Sequence, residues 1–466
     1  MEIGRKDVIW NYAATFLKIG VGIILLPFIL RVFPPETVAI WSIFTTVITL
    51  TNLFDFGFNP SFARNVTYVV SGVKELKVTG YNIVERHDSE VDYSLFKGLI
   101  GAMRWFYARM AGILFMLLAT AGTYYIHAVL RTYTGSHTEV YMAWVILVII
   151  NAYSLYTMYY DSLMQGKGLI KRSKQIDVIG YAVYLTVAAG LILMRFNLIA
   201  IVSAQALMVL IKRVLSYRTI YTPDFRQRLH NIKTQSRKAI IKAIYPNALK
   251  MGLNGVGWYL TSSAPMIIGS LFLPLNTVAS YGITLQVVII IRNMSYVYYF
   301  TYQPKIIQAR TQGDTHVIKM FYLKSCRVQL FTFIVCGLAL IFLGDWGLFL
   351  IKSKTLLLPA LFIMVALLVY FFVSNYSIAE FVLLTKNDVL FYKASLVTGV
   401  VTIILTFVLL CYTKLGVWSL ILAPGITQAA YLDWKWPAMV AKELRIKKQD
   451  VYESIKEIYN KVKNVI

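Results

Sequence analysis

The 466 residues are 58% hydrophobic and 15% charged, with a formal net charge of +24 and a mean hydropathy of +0.63. Apolar runs of about 20 residues recur along the whole chain, which excludes a soluble globular domain, where about a quarter of the residues are charged. A porin-like barrel is excluded too, because its strands alternate apolar and polar residues.

The opening segment MEIGRKDVIWNY runs into a first apolar span with no small-residue cleavage site, and so reads as a retained signal anchor. A sliding window predicts spans at 8–32, 37–56, 105–130, 140–164, 176–194 and 197–216. After the basic stretch 217–246 come 247–273, 278–303, 322–345, 355–384, 389–412 and 415–440. Each is near or above the roughly 20 helical residues that cross a hydrocarbon core of about 30 Å. The expected architecture is therefore an all-α integral membrane protein of about twelve transmembrane helices. It comprises an N-terminal six-helix bundle (1–216), a basic linker (217–246), a C-terminal six-helix bundle (247–440) and a basic tail (441–466). In the tail, Val451, Ile455, Ile458, Val462 and Val465 recur at helical spacing among lysines, predicting an amphipathic helix on an anionic inner membrane surface.

The basic residues orient the spans. With the N-terminus inside, Arg31, Arg131, Arg195, Lys352, Lys354 and Lys414 are the loop cations on the outer side; the others crowd the cytoplasmic segments. That bias repeats at every loop and predicts cytoplasmic N- and C-termini.

The chain offers little for catalysis. The outer loops are too short for an active site, no G-x-x-x-x-G-K-[ST] phosphate loop is present, and the histidines lack metal-ligand spacing. Neither a catalytic residue nor a metal site, cofactor or nucleic-acid partner is expected, and Cys326, Cys336 and Cys411 have no paired spacing.

The charges inside the spans carry the information, since an ionisable group at the bilayer centre costs about 2.5–3.5 kcal/mol even on the insertion scale. Lys18 lies near the middle of the first span and Arg292 about halfway along the eighth. Asn11, Thr15, Lys18 and Gly22 share one helix face, as do Arg292, Tyr296, Tyr299 and Gln303, while Asn247, Asn254 and Thr261 recur every seven residues. Such stripes fit either a common aqueous lumen or internal bonds that hold the bundle; the lumen accounts for all three together. Two central cations suit an anionic, phosphate-bearing substrate, because Arg binds phosphate oxygens in bidentate fashion. The interior acids Asp55, Asp161 and Glu380 lie nearer the cytoplasmic ends of their spans. They are candidates for ion coupling or for gating pairs with Arg64 and Lys167. Two tyrosine-rich groups, Tyr153, Tyr156 and Tyr160 and then Tyr370, Phe371, Phe372 and Tyr376, fit either sugar stacking or interfacial belts.

The segments RKDVIWNYAATFLKIGVGIILLPFIL and LFDFGFNPSFARNVTYV resemble the Wzx-type O-antigen or capsule-unit flippases of the multidrug/oligosaccharidyl-lipid/polysaccharide (MOP) exporter superfamily. The resemblance implies a MATE/MOP-like pair of bundles that opens alternately to each side of a bacterial inner membrane. It implies a polyprenyl-diphosphate-linked oligosaccharide as substrate, the repeat unit of an O-antigen, capsule or exopolysaccharide. It places family-like cations on Lys18, Arg64 and Arg292, with Arg64 beyond the helix breakers Gly57 and Pro60. Asn11, Asn254, Tyr296 and Tyr299 would then offer hydrogen bonds to the diphosphate or sugars. Implied partners are a proton or sodium counter-ion, anionic inner-leaflet lipids and a polysaccharide polymerase complex. A multidrug antiporter of the same superfamily is the alternative, distinguished by acids in place of cations in the lumen.

Overall fold

The computed structural model describes residues 5–72, 91–230, 232, 234, 236–386, 389–447 and 450. The expected amphipathic tail helix therefore lies outside the described residues, as do the side chains of Asn11, Thr15, Lys18 and Asn247. Among the described residues there are helices and no strands, and the chain divides into two compact units, 1–255 and 256–466, with the division inside one helix.

In the first unit, α1 (Arg5–Val32) stops where Pro34 and Pro35 open α2 (Pro35–Leu53), since proline at the first helical position removes only an N–H that had no partner. The next break is specified side chain by side chain. Phe56 and Gly57 take positive φ (46° and 67°), and α3 (Phe58–Val70) starts anew. The Asp55 carboxylate receives the Asn59 N–H at 3.0 Å and so serves the bare N-terminus of α3. There follow α4 (Tyr93–Leu117), capped by Asp92, a π-helical turn (Leu118–Gly122) and α5 (Thr123–Leu130). Then come α6 (His137–Tyr156), capped by Ser136, and α7 (Tyr159–Gly166). The unit continues with α8 (Ile170–Leu193), α9 (Asn197–Ile220), α10 (Pro223–His230) and the first part of α11 (Arg237–Ser262). Helix α8 packs against both α1 and α9, α3 against α7, and α6 against α4 and α9.

The second unit holds the end of α11, α12 (Ala264–Phe272), α13 (Leu275–Ser295), α14 (Val297–Thr311) and α15 (Thr315–Leu350). It ends with α16 (Ala360–Leu384), α17 (Tyr392–Tyr412), α18 (Val417–Ala429) and α19 (Leu432–Glu443). Helix α16 packs on α13, α15, α18 and α19, and α17 lies along α12 and α18. Large apolar side chains such as Phe342, Phe349 and Ile404 stand exposed, as faces turned to lipid do.

Among the described residues, nine helical segments are long and apolar enough to cross a membrane, which makes this a multi-pass membrane protein. The difference from twelve falls on 8–32, 247–273 and 415–440. In α1 the apolar helix found is the short Gly20–Val32. The second of these spans is cut at Ser263 into α11 and α12, and the third at Ala430–Tyr431 into α18 and α19, where Asp433 and Lys435 follow.

One charge cluster ties helix ends together. Glu443 receives Arg310 at 2.5 Å and Lys386 at 2.8 Å, joining the ends of α14, α16 and α19. Burial alone would raise the Glu443 carboxyl, but its hydrogen bonds to Lys386 and Arg310 and the charges of both hold it below its ordinary value. A depressed carboxylate stabilises the fold above its unfolded pKa, and that stabilisation disappears as pH falls through the folded value. Glu443→Gln is therefore expected to lower the unfolding temperature in detergent at neutral pH, with the gap to wild type closing below about pH 4. A gap that persists in acid would show that packing and not charge is lost.

The Gly57 break yields a second expectation. A Cβ at Gly57 would sit 2.4 Å from Met251 Cβ, and one at Gly252 would sit 2.5 Å from the Phe56 ring. Gly57→Ala adds this overlap to a left-handed backbone that costs an L-residue about 1–2 kcal/mol. It is expected to lower the unfolding temperature clearly, whereas Gly190→Ala, with nothing within 4 Å in the last turn of α8, leaves it unchanged or raises it.

Candidate substrate-binding site

In the second unit the site is built around Arg292. It lies in the last turn of α13, where the free carbonyls of the helix C-terminus favour a cation. Ser295 donates to the Arg292 carbonyl at 2.7 Å and its hydroxyl meets Ser374 Oγ at 2.8 Å, which pins this turn to α16. The side chain is only 9% exposed. Its guanidinium carbon lies 5.6 Å from the Trp258 ring centre, 5.8 Å from Tyr370 and 6.0 Å from Tyr296. Such cation–π contacts contribute about 0.5–2 kcal/mol each when desolvated, so the aromatic cage offsets much of the cost of burial. Among the described residues no carboxylate pairs with Arg292, and its Nε has no hydrogen-bond partner. A caged, unneutralised cation of this kind is ready to receive an anion.

Beside the cage is a water-sized cavity whose walls include Trp258, Ser262, Tyr281, Tyr370, Tyr376 and Gln428. Pro424 inside α18 removes the N–H that would have bonded the Leu420 carbonyl four residues earlier, and the Tyr281 hydroxyl takes that carbonyl at 3.2 Å. Tyr376 donates to Gln428 Oε1 at 3.0 Å, and Gln428 donates to the Pro424 carbonyl at 2.9 Å.

The expected stripe from Arg292 to Gln303 is interrupted, because α13 ends at Ser295 and α14 begins at Val297. Tyr296 stays at the cation, whereas Tyr299 is fully buried, stacks on Phe381 at 5.5 Å and leaves its hydroxyl without a partner. Thr261 is buried and donates to the Gly257 carbonyl, and Asn254 is half-buried on α11. The tyrosine-rich stretch of α16 divides by helix face. Tyr370 and Tyr376 wall the cavity, and Phe372 is exposed.

The first unit holds the other candidates except Glu380, which belongs to the second. Asp55 accepts the Tyr107 hydroxyl at 2.6 Å in addition to serving α3, and Arg64 is half-buried on α3 beyond the break. The ion pair on Asp161 comes from Arg213 at 2.9 Å, across α7 and α9. Lys167 instead lies 3.5 Å over the Phe225 ring, where burial lowers its pKa. Tyr156, Tyr159, Tyr160, Tyr217 and Tyr221 form a continuous ring cluster between α6, α7 and α9. Glu380 is half-buried on α16, one turn after Tyr376.

Sequence reasoning missed Arg213, Trp258, Ser262, Tyr281 and Gln428. The one available signal was Pro424 within an apolar span, which announces a freed carbonyl that some other helix has to satisfy.

No family model and no curated protein matches the sequence. Solved structures do. An inward-facing multidrug resistance MATE family transporter of the MOP superfamily aligns with TM-score 0.60 and 13% identity over 96% of each chain. The lipid II flippase MurJ in an inward closed conformation aligns with TM-score 0.61 and 12% identity over 96% of this chain and 90% of the other. This chain shares the fold of these two solved structures. A further MOP transporter, from Pyrococcus furiosus, matches with TM-score 0.53 and 12% identity over 95% of each chain, and is described as having a binding pocket of reversed polarity. The neighbours described here are transporters and a flippase.

The Asp161–Arg213 pair can be measured. Arg213 is 7% exposed at its side chain and Asp161 33%, so the pair is partly screened. Arg213→Met and Asp161→Asn are each expected to lower thermal stability, and the double variant by less than their sum, with a coupling of about 1 kcal/mol.

Proposed function

We propose that the protein flips a polyprenyl-diphosphate-linked oligosaccharide, the repeat unit of an O-antigen, capsule or exopolysaccharide, across a bacterial inner membrane by alternating access. The observation that carries this reading is Arg292, buried, caged by aromatic rings and without a carboxylate partner among the described residues. A guanidinium so held prefers a phosphate to an organic cation, since both its charge and its hydrogen-bond geometry suit phosphate oxygens. Lys18 on α1 and Arg64 on α3 are the further cations assigned to the substrate, and Asn11, Asn254 and Tyr296 the polar contacts. Asp55, Asp161 and Glu380 keep the coupling or gating role. Six spans to each half and cytoplasmic termini belong to the same reading.

MurJ is described as a flippase for lipid II and the MATE proteins as multidrug transporters, so the fold serves both kinds of cargo. The Pyrococcus protein's description ties pocket polarity to function within the superfamily, and pocket polarity is the ground on which the flippase is chosen here over a drug antiporter.

Complementation of a strain lacking the gene tests the reading. Arg292→Ala and Lys18→Ala are expected to reach the membrane at normal levels, to abolish surface polysaccharide and to leave lipid-linked units on the cytoplasmic side. Arg292→Lys should retain part of the export, because it keeps the charge but not the bidentate geometry. Normal export by both alanine variants would remove the cationic path from the mechanism.

A further inference from the structure

One exposed side of the first unit changes character along its length. Helix α6 packs against both α4 and α9, and α6 and α9 each keep an exposed apolar stripe. On α6 the stripe is Met142, Val145 and Ile149, and on α9 it is Leu207, Leu210 and Val214, both at helical spacing. Continued toward the C-terminal ends of these helices, the same faces turn to tyrosine. Tyr153 and Tyr156 follow on α6, and exposed Tyr217 on α9 is followed by Tyr221 just past the helix end.

Two exposed arginines border these rings. Arg104 on α4 has Tyr156 as a hydrogen-bond partner and Tyr159 and Tyr221 as electrostatic neighbours. Arg226 on α10 donates from Nε to the Tyr221 carbonyl at 3.1 Å, and its guanidinium carbon lies 5.3 Å from the Tyr217 ring centre. The rings of Tyr217 and Tyr221 are 5.1 Å apart, so both guanidiniums adjoin one pair of rings. Among the described residues neither arginine pairs with a carboxylate. Asp161 on α7 is taken by Arg213, and Asp224 on α10 by Arg228. A guanidinium carries several N–H donors, so one bond to a tyrosine or a carbonyl leaves others for a guest.

The order along this face selects the guest. Apolar side chains, then tyrosines, then arginines match the acyl chain, glycerol and phosphate of a phospholipid in turn. Phosphate oxygens only accept, and they fit the donor fork of a guanidinium. A zwitterionic headgroup would add an ammonium to a place that already holds two cations. A headgroup whose far end is neutral and hydroxylated avoids that repulsion and can bond the tyrosine hydroxyls. We propose that this face is a binding site for an anionic phospholipid, its phosphate on Arg104 and Arg226 and an acyl chain along the stripes of α6 and α9. The basic bias of the loops makes its leaflet the inner one. The site shares no residue with the one around Arg292, so the inference goes beyond the transport reading and does not depend on it.

The test uses the full chain exchanged into nanodiscs of equal phosphatidylglycerol and phosphatidylcholine. Lipid that stays bound after transfer to detergent is identified by native mass spectrometry. Wild type is expected to retain phosphatidylglycerol in excess. Arg104→Gln and Arg226→Gln are each expected to lower that excess about fivefold, the value of one basic residue near an anionic surface. Arg172→Gln removes an exposed arginine of α8 that bonds Gln175, and it is expected to leave the excess unchanged. Unfolding temperatures measured alongside identify a misfolded variant, and the other arginine then carries the test. An equal loss in Arg172→Gln would show a general attraction of the basic surface and overturn the site. So would retention of both lipids in the bulk ratio by wild type. Loss of the bound phosphatidylglycerol to added polyprenyl diphosphate would overturn it too, by assigning the face to the carrier lipid.

Discussion

Hydrocarbon offers no hydrogen bonds to a peptide group, and the places where this chain breaks or bends its helices are arranged around that constraint. At 54–57, where α2 gives way to α3, the Asp55 carboxylate takes an N–H from the new helix. Between α6 and α7, the Thr157 hydroxyl donates to the Tyr153 carbonyl at 2.7 Å. At the end of α13 Ser295 returns to the Arg292 carbonyl, and around Pro424 three side chains from two helices, Tyr281, Thr427 and Gln428, take the Leu420, Ala423 and Pro424 carbonyls. Irregular backbone survives at membrane depth because other protein groups supply what water would.

The same groups shape the cavity, which is bordered by Thr261 and Ser262 of α11, Tyr281 of α13 and the Pro424–Gln428 turn of α18. Charge elsewhere is used differently. Asp161 with Arg213, Lys212 with Asp177, and Glu443 with Arg310 and Lys386 are satisfied in pairs or triads that join helices. Arg292 is held by aromatic rings and, among the described residues, by no carboxylate.

The class of the protein and its buried cation were legible in the sequence, because apolar run length and an ionisable residue inside such a run are local properties. So was the break at Gly57, whereas Pro60, expected to break the helix as well, lies inside the first turn of α3, and the hydrogen bond of Asp55 to that turn was not foreseen. The tyrosines of α16 were legible as a group but not by role, since helix packing decides which face meets the cavity and which meets lipid. For Asp161 the partners expected were Arg64 and Lys167, and in this structure Arg213 pairs with it because α9 passes α7.

What the sequence by itself determined is the membrane-embedded helical class, the basic bias of the loops and the presence of Arg292 inside an apolar stretch; each depends only on residues adjacent in the chain. Tertiary structure alone decided that Trp258, Tyr296 and Tyr370 surround that cation and that Trp258, Tyr281, Tyr370 and Gln428 border a cavity beside it. Those residues come from α11, α13 and the turn that ends it, α16 and α18, and their meeting depends on helix crossings that no single segment encodes.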